Sequence, residues 1–447
     1  MKTGFAKKCI TPPMGFPVRG YYKERFAKGI LEDLYVRALA FCDGENSSVI
    51  LSAEISLLTT EQCDEFRKAI SDFCGLPFEA VFITFSHTHT GPYVKPTEQI
   101  ETDIERLYYE KLKISFRDAA FLALGDLKES KFYTAAGIAK NISFIRRFRM
   151  KDGSVQTNPG VLNQDIDYPL GEPNETVKLL KITRENAEDI FLVNFGTHPD
   201  TIGGELISPD YPGYICNIVE NALPGVKCMF LLGAQGDVNH INVNPTKGEQ
   251  AITKIDFDNV PRGIEQSMHM ARVIAGSVLS ICTTAEELAV DKIACLSKEI
   301  VIPSYQENDK IVEAQKIEEL YKTGKTDELP YKGMELTTKI AEAMRIISLQ
   351  NGPESYAFKL SAVRIGNIVF AGVPGEPFVE IGDRICKKSP FETTILCCLA
   401  NGGDSYFPTR TAYDEGGYEA KTSRLAPGGD EILVNGMLEL LNEVKSI

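Results

Sequence analysis

The sequence has no CxxC pair among its eleven cysteines, no apolar run long enough to span a bilayer, no internal repeat, no low-complexity tract and no Ser/Gly linker. Each absence closes a class of explanation. The cysteines are odd in number and scattered from Cys9 to Cys397 and Cys398, so they form neither a disulfide framework nor a cysteine-based metal site. Cys42, Cys228, Cys295 and Cys397 lie in apolar runs, where a thiol packs as a small hydrophobe. Without repeats or linkers, the 447 residues read as one domain, 1–447. The opening MKTGFAKKCITPP lacks the apolar stretch of about 7–15 residues that a secretion signal needs, so a cytoplasmic protein without membrane insertion is expected. Positive charge is also in deficit. With 48 Lys and Arg against 62 Asp and Glu the net charge is −14, which repels polyphosphate, so nucleic acid is not an expected partner. Histidine is scarce, with five copies at positions 87, 89, 198, 240 and 269.

A hydrophobic content of 43% can fill a substantial core. Its first informative pattern is strand, helix, strand. Residues 49–53 are a short apolar run, 59–73 place Cys63, Phe66, Ile70 and Phe73 on one helical face, and 80–85 are a second apolar run. Thr59 and Gln62 have capping-box spacing at the helix start. This order predicts an α/β fold of mixed β-sheets flanked by helices. Further strands are expected at 190–195, 228–232, 367–373 and 394–399. The stretch 304–355 differs, being rich in Glu and Lys with helical spacing over 311–321 and 336–349. It predicts a charged helical pair with a solvated face, or a lid over a site. Residues 430–444 read as a closing amphipathic helix.

Five of these six apolar strands, all but 49–53, run into a polar, Gly-rich continuation: SHTHTGP, GTHPDTIGG, GAQGDVNH, PGEP and ANGGDSYFPTR. In open α/β sheets such strand-end loops bind ligands, so five loops are expected to converge. Four of the five histidines fall in them. If the strand continues through His87 and His89, they point the same way about 7 Å apart. An isolated HxH pair serves equally to cap backbone. His198 precedes Asp200, a suitable acceptor for an imidazole N–H. Glu376 stands between Gly375 and Pro377, where a carboxylate has little structural purpose beyond a turn hydrogen bond. Two His and one Glu are a common catalytic zinc set.

The segments ITPPMGFPVRGYY, GILEDLYVRALAF, SHTHTGP, NFGTHPDTIGG with ISPDYPGY, GAQGDVN, VPGEPF and NGGDSYFPTRTAYDEGGYEA follow one another over residues 8–420. In this order they resemble the catalytic domain of neutral (alkaline, non-lysosomal) ceramidases. The resemblance implies that Zn2+ is held by His87, His198, Glu376 and Tyr406, and that His89 acts beside the metal on substrate or water. It also implies that Arg146 or Arg147, in FIRRFRM, faces the scissile carbonyl. Asp237, retained in the loop 233–239, is implied to orient a histidine or a loop. The family has a serine shortly before its GDVSP motif, whereas residues 233–239 contain none. Attack by metal-activated water, without an acyl-enzyme, is therefore expected. Neutral ceramidases also carry an Ig-like domain and a secretion signal. Neither is expected here, so the substrate need not be ceramide (N-acylsphingosine) and extends to other N-acyl amides or lipid-like small molecules. The alternatives are an esterase or peptidase on the same site, a metal-retaining binding protein, or a purely structural zinc.

Overall fold

The computed structural model describes residues 1–403 and 405–447. A nine-stranded mixed sheet runs in the order Val226–Leu232, Asp189–Phe195, Thr176–Arg184, Lys128–Ile138, Lys2–Cys9, Tyr35–Cys42, Ser47–Ala53, Val81–Phe85, with Glu286–Leu288 also pairing onto Lys128–Ile138. Ile293–Pro303, Ser355–Ile365, Ile368–Gly372 and Thr393–Cys397 form a four-stranded sheet.

The alternation of side chains along each strand explains how the layers stack. In Asp189–Phe195, Phe191, Val193 and Phe195 pack with the helices Thr60–Cys74, Asp103–Gly125, Asp210–Ala222 and Ile264–Ile281, while Ile190 and Leu192 face the smaller sheet. Ile368 and Phe370 of the smaller sheet join that inter-sheet layer, whereas Val369 and Ala371 pack against the helices Val379–Lys388 and Gly429–Ser446. Both sheets are apolar on both faces, as strands covered on two sides require. The result is four layers: helices, large sheet, small sheet, helices. This is the expected α/β class.

The predicted strand–helix–strand unit is present. Thr59 caps the helix Thr60–Cys74 and completes a capping box with Gln62, and Ser47–Ala53 pairs in parallel with Val81–Phe85. Cys63, Phe66 and Ile70 are buried as the spacing predicts, but Phe73 is 52% exposed. The last helical turn meets the outer edge of Asp103–Gly125 instead of the sheet, so the Phe73 ring packs edge-on against Phe121 and under the Arg117 guanidinium.

Three parallel pairs position the site: Ser47–Ala53 with Val81–Phe85, Asp189–Phe195 with Val226–Leu232, and Ile368–Gly372 with Thr393–Cys397. Parallel pairing places both carboxyl ends of a pair on the same sheet edge, so the polar continuations emerge side by side. The insert over 304–355 leaves and re-enters the small sheet at one rung, Pro303 opposite Ser355. It contains the helices Ile311–Lys322 and Gly333–Gln350, which share a small core of Ala314, Ile317, Ile340, Ala343 and Ile346. No helix of the described residues is long and apolar enough to cross a membrane.

Candidate metal centre

The strand-end loops hold one another by backbone hydrogen bonds. His87 N–H donates to Ile55 O, His89 N–H to Pro199 O, His198 N–H to Val238 O, Gly236 N–H to Pro377 O, and Glu376 N–H to Ser405 O, at 2.9–3.3 Å. The strand does not continue through the HxH pair. It stops at Phe85, and His87 adopts left-handed backbone with φ of +64°, which turns the chain over the sheet edge. Even so, the His87 and His89 rings approach to 5.1 Å between centroids. Gly236 is required where its loop crosses Glu376, because a Cβ there would stand 2.5 Å from the Glu376 carbonyl oxygen.

Among the described residues, His87, His89 and His198 form a cluster whose ligand atoms all lie within 4.8 Å of one another. Glu376 Oε2 completes it, 3.4 Å from His87 Nε2 and 3.7 Å from His198 Nδ1. Two ligands bound about 2.0–2.1 Å from a tetrahedral ion stand about 3.3–3.4 Å apart, so these spacings suit one shared cation. His87 Nδ1 faces the Ser56 carbonyl at 3.0 Å, which places its proton there and leaves Nε2 free as a lone-pair donor. His198 Nδ1 is buried and has no hydrogen-bond partner among the described residues, as an atom meant for a metal would be. Burial lowers the pKa of His198 well below the usual histidine value and that of His89 to about 3, so both rings are neutral and able to ligate. Burial also opposes charge on Glu376, but a proton on His87 Nε2, whose place a metal ion would take, together with the Gln235 amide and Arg146 outweighs it and pushes its pKa down to about 2.

His89 lies inside the cluster as well as beside it, its Nε2 3.0 Å from His198 Nε2. Tyr406 is opposite Glu376 on the paired short strands Glu376–Pro377 and Tyr406–Phe407. Its hydroxyl accepts from Arg146 Nη2 at 3.2 Å, and Arg146 lines a cavity together with His89 and His198. Arg147 turns away to Glu415 and the Gly416 carbonyl. One expectation about the acidic residues changes. Asp200 does not serve the neighbouring His198. It faces His89 Nδ1 at 3.5 Å and is held by Arg262, because the turn after His198 swings its side chain across the loop. Asp237 takes the second of the two roles expected for it, orienting a histidine or a loop. Its Oδ1 accepts from Val379 N at 2.8 Å, at the start of the helix that follows Glu376, so it orients a loop.

Three contacts were not foreseen: the Ser56 carbonyl on His87, Gln235 Nε2 donating to Glu376 Oε2 at 2.9 Å, and the buried ion pair of Arg146 with Glu419 at 2.6 Å. Gln235, flanked by small residues in GAQGDVN, was the available signal, but its partner is 141 positions away.

The cluster opens onto two cavities that share His89, Tyr406, Tyr418 and residues 20–24 as a common wall. One, of about 780 Å³, is lined by Arg19, Arg25, His87 and Glu376; the other, of about 840 Å³, by His198, Arg146, Met334, Leu336 and Ile340. Both helices of the insert roof the second cavity, so the charged stretch is a solvated face on one side and a lid on the other.

No family model and no curated protein sequence matches this chain. Solved structures do. The crystal structure of neutral ceramidase from Pseudomonas aeruginosa matches over 99% of this chain and 75% of that one, with a TM-score of 0.70 and 16% identity. A ceramidase complexed with C2 matches over the same shares with a TM-score of 0.69 and 16% identity. At this identity the likeness establishes the fold. The chain has the neutral-ceramidase-like arrangement of mixed sheets flanked by helices, with a histidine cluster capable of coordinating a divalent metal.

Proposed function

We propose that the protein is a zinc-dependent hydrolase of linear amide bonds acting on N-acyl compounds, with His87, His198, Glu376 and Tyr406 as the metal ligands. The observation that carries this reading is the set of ligand-spaced atoms on His87, His198 and Glu376 at the junction of two cavities. Zinc bound by these residues would supply a Lewis acid for the scissile carbonyl and a water whose pKa is lowered from about 16 to about 7.

The chain's own groups do the rest. Tyr406 and Arg146, hydrogen-bonded to each other, face the carbonyl oxygen and stabilise the charge that develops on it. His89, neutral, with Nδ1 towards Asp200 and Nε2 3.0 Å from His198 Nε2, relays the proton of the attacking water to the leaving amine. No acyl-enzyme is needed. The loop 233–239 has no Ser, Cys or Thr, and its amide, Gln235, is committed to Glu376. The Met334, Leu336 and Ile340 wall suits an acyl chain.

The test is hydrolysis of a matched set of a dodecanoyl amide, the corresponding ester and a short peptide, before and after dialysis against a chelator. Amide hydrolysis should vanish with the metal and return with added zinc, and His89→Gln should lower kcat by about 10²–10⁴. Activity confined to the ester or the peptide, or indifferent to the chelator, contradicts the proposal.

A further inference from the structure

The first cavity is basic in a protein of net charge −14. Six cationic side chains line it against three carboxylates, Glu24, Glu105 and Glu376. Several of these charges are already matched: Lys95 pairs with Glu105 at 2.9 Å, Arg345 with Glu307 from behind the wall, and Glu376 belongs to the metal cluster.

The charges without an ion pair among the described residues are concentrated in residues 19–25, where Arg19, Lys23 and Arg25 stand against Glu24 alone, directly on His89. Gly20 is there because a Cβ would stand 2.7 Å from the His89 Cβ. Arg19 is half-buried, its guanidinium stacked over the Tyr93 ring at 4.9 Å, and its side chain has no carboxylate partner among the described residues. Arg25 is 6% exposed, its terminal nitrogens donate only to the carbonyls of Gly204, Arg19 and His89, and its Nε is buried without a hydrogen-bond partner. Lys23 lines the same cavity, also without an acidic partner among the described residues. Asp200 and Asp256 act on Arg25 only through space and its guanidinium lies over the Tyr21 ring at 4.0 Å, so the Arg25 Nε and the Arg19 guanidinium remain donors without a direct anionic partner beside the histidine cluster.

From this we infer that the amine portion of the substrate carries a carboxylate, so that the preferred class is N-acyl amino acids. The carboxylate pairs with Arg19 and Arg25 in the first cavity while the acyl chain lies under the insert in the second. A guanidinium matches a carboxylate in shape and charge, whereas an uncharged alcohol or polyol head group leaves Arg19 unpaired. The inference rests on the proposed amide hydrolysis but is tested separately from it.

The measurement is calorimetric binding, to the zinc-loaded protein, of two ketone isosteres in which CH2 replaces the amide N–H: one of dodecanoylglycine and one of its uncharged methylamide. The wild type should bind the anion more tightly, and Arg19→Gln should reduce the anion-to-neutral affinity ratio by about tenfold. Lys23→Gln, at an exposed position, should lower the same ratio by less and guards against a folding defect in the first variant. Equal binding of the two ligands by the wild type, or an unchanged ratio in both variants, overturns the inference. The anion preference without turnover of the parent amides keeps the carboxylate site and removes the hydrolase reading. Turnover without preference does the reverse.

Discussion

At the scale of single residues, the site depends on groups held in definite charge states by partners remote in sequence. Arg146 is the clearest case. Burial works against its charge, but Glu419 and Tyr406 outweigh that and keep its pKa above the ordinary arginine value. Glu419 is fully buried, so removing the arginine strands a carboxylate away from water. Arg146→Met should cost about 3–5 kcal/mol in urea unfolding, and the double variant Arg146→Met, Glu419→Leu should recover most of it. Additive losses in the two single variants would show that the pair contributes no mutual support. Contacts of this kind explain what the sequence hid. His87, His198 and Glu376 were legible because a His or Glu after an apolar strand stands out. Ser56, Gln235 and Glu419 were not, because a carbonyl, an amide and a helical carboxylate look ordinary until the loops that carry them meet.

At the scale of elements, Asp237 shows how a conspicuous acid serves a helix. Burial raises its pKa to about 6, although Val379 N–H and Arg147 oppose the rise. An unfolded aspartate titrates near 3.9, so between about pH 4 and pH 6 the folded state keeps a proton that the unfolded state releases. The stability this contributes is fully present below about pH 4 and is lost as pH rises through about 6. Asp237→Asn retains an acceptor for Val379 and removes the titration. Its stability relative to the wild type should therefore rise across that window, by about 3 kcal/mol. Parallel pH profiles of the two proteins in denaturant titrations would count against this assignment.

The insert makes a second prediction at the same scale. Ser304 N–H donates to the Glu354 carbonyl at 2.9 Å, so the excursion begins and ends at one rung of the small sheet. Replacing residues 305–353 by Asn-Gly should leave a hairpin that folds and retains metal. It should also flatten the dependence of KM on acyl chain length, because the second cavity loses its roof. Unchanged chain-length dependence would mean that the helices do not contact the substrate.

At the scale of the whole molecule, four layers serve to align three parallel strand pairs so that their carboxyl ends meet on one edge. The strand–helix–strand unit, the inserted helical pair and the closing helix Gly429–Ser446 were all readable from periodicity. The sandwiching of two sheets was not. A strand buried on both faces is continuously apolar, so nothing in Ile190 or Phe370 says whether a helix or another sheet covers it. The turn at His87 escaped for a related reason, since left-handed backbone at a histidine is set by the loops that grip it.

The central claim is that these loops build one metal site, and elemental analysis tests it most directly. Protein purified without chelator should carry about one zinc per chain, and His198→Ala should retain the circular dichroism of the wild type while losing most of that metal. A wild type free of transition metal, or a folded His198→Ala protein with a full equivalent, would contradict the account.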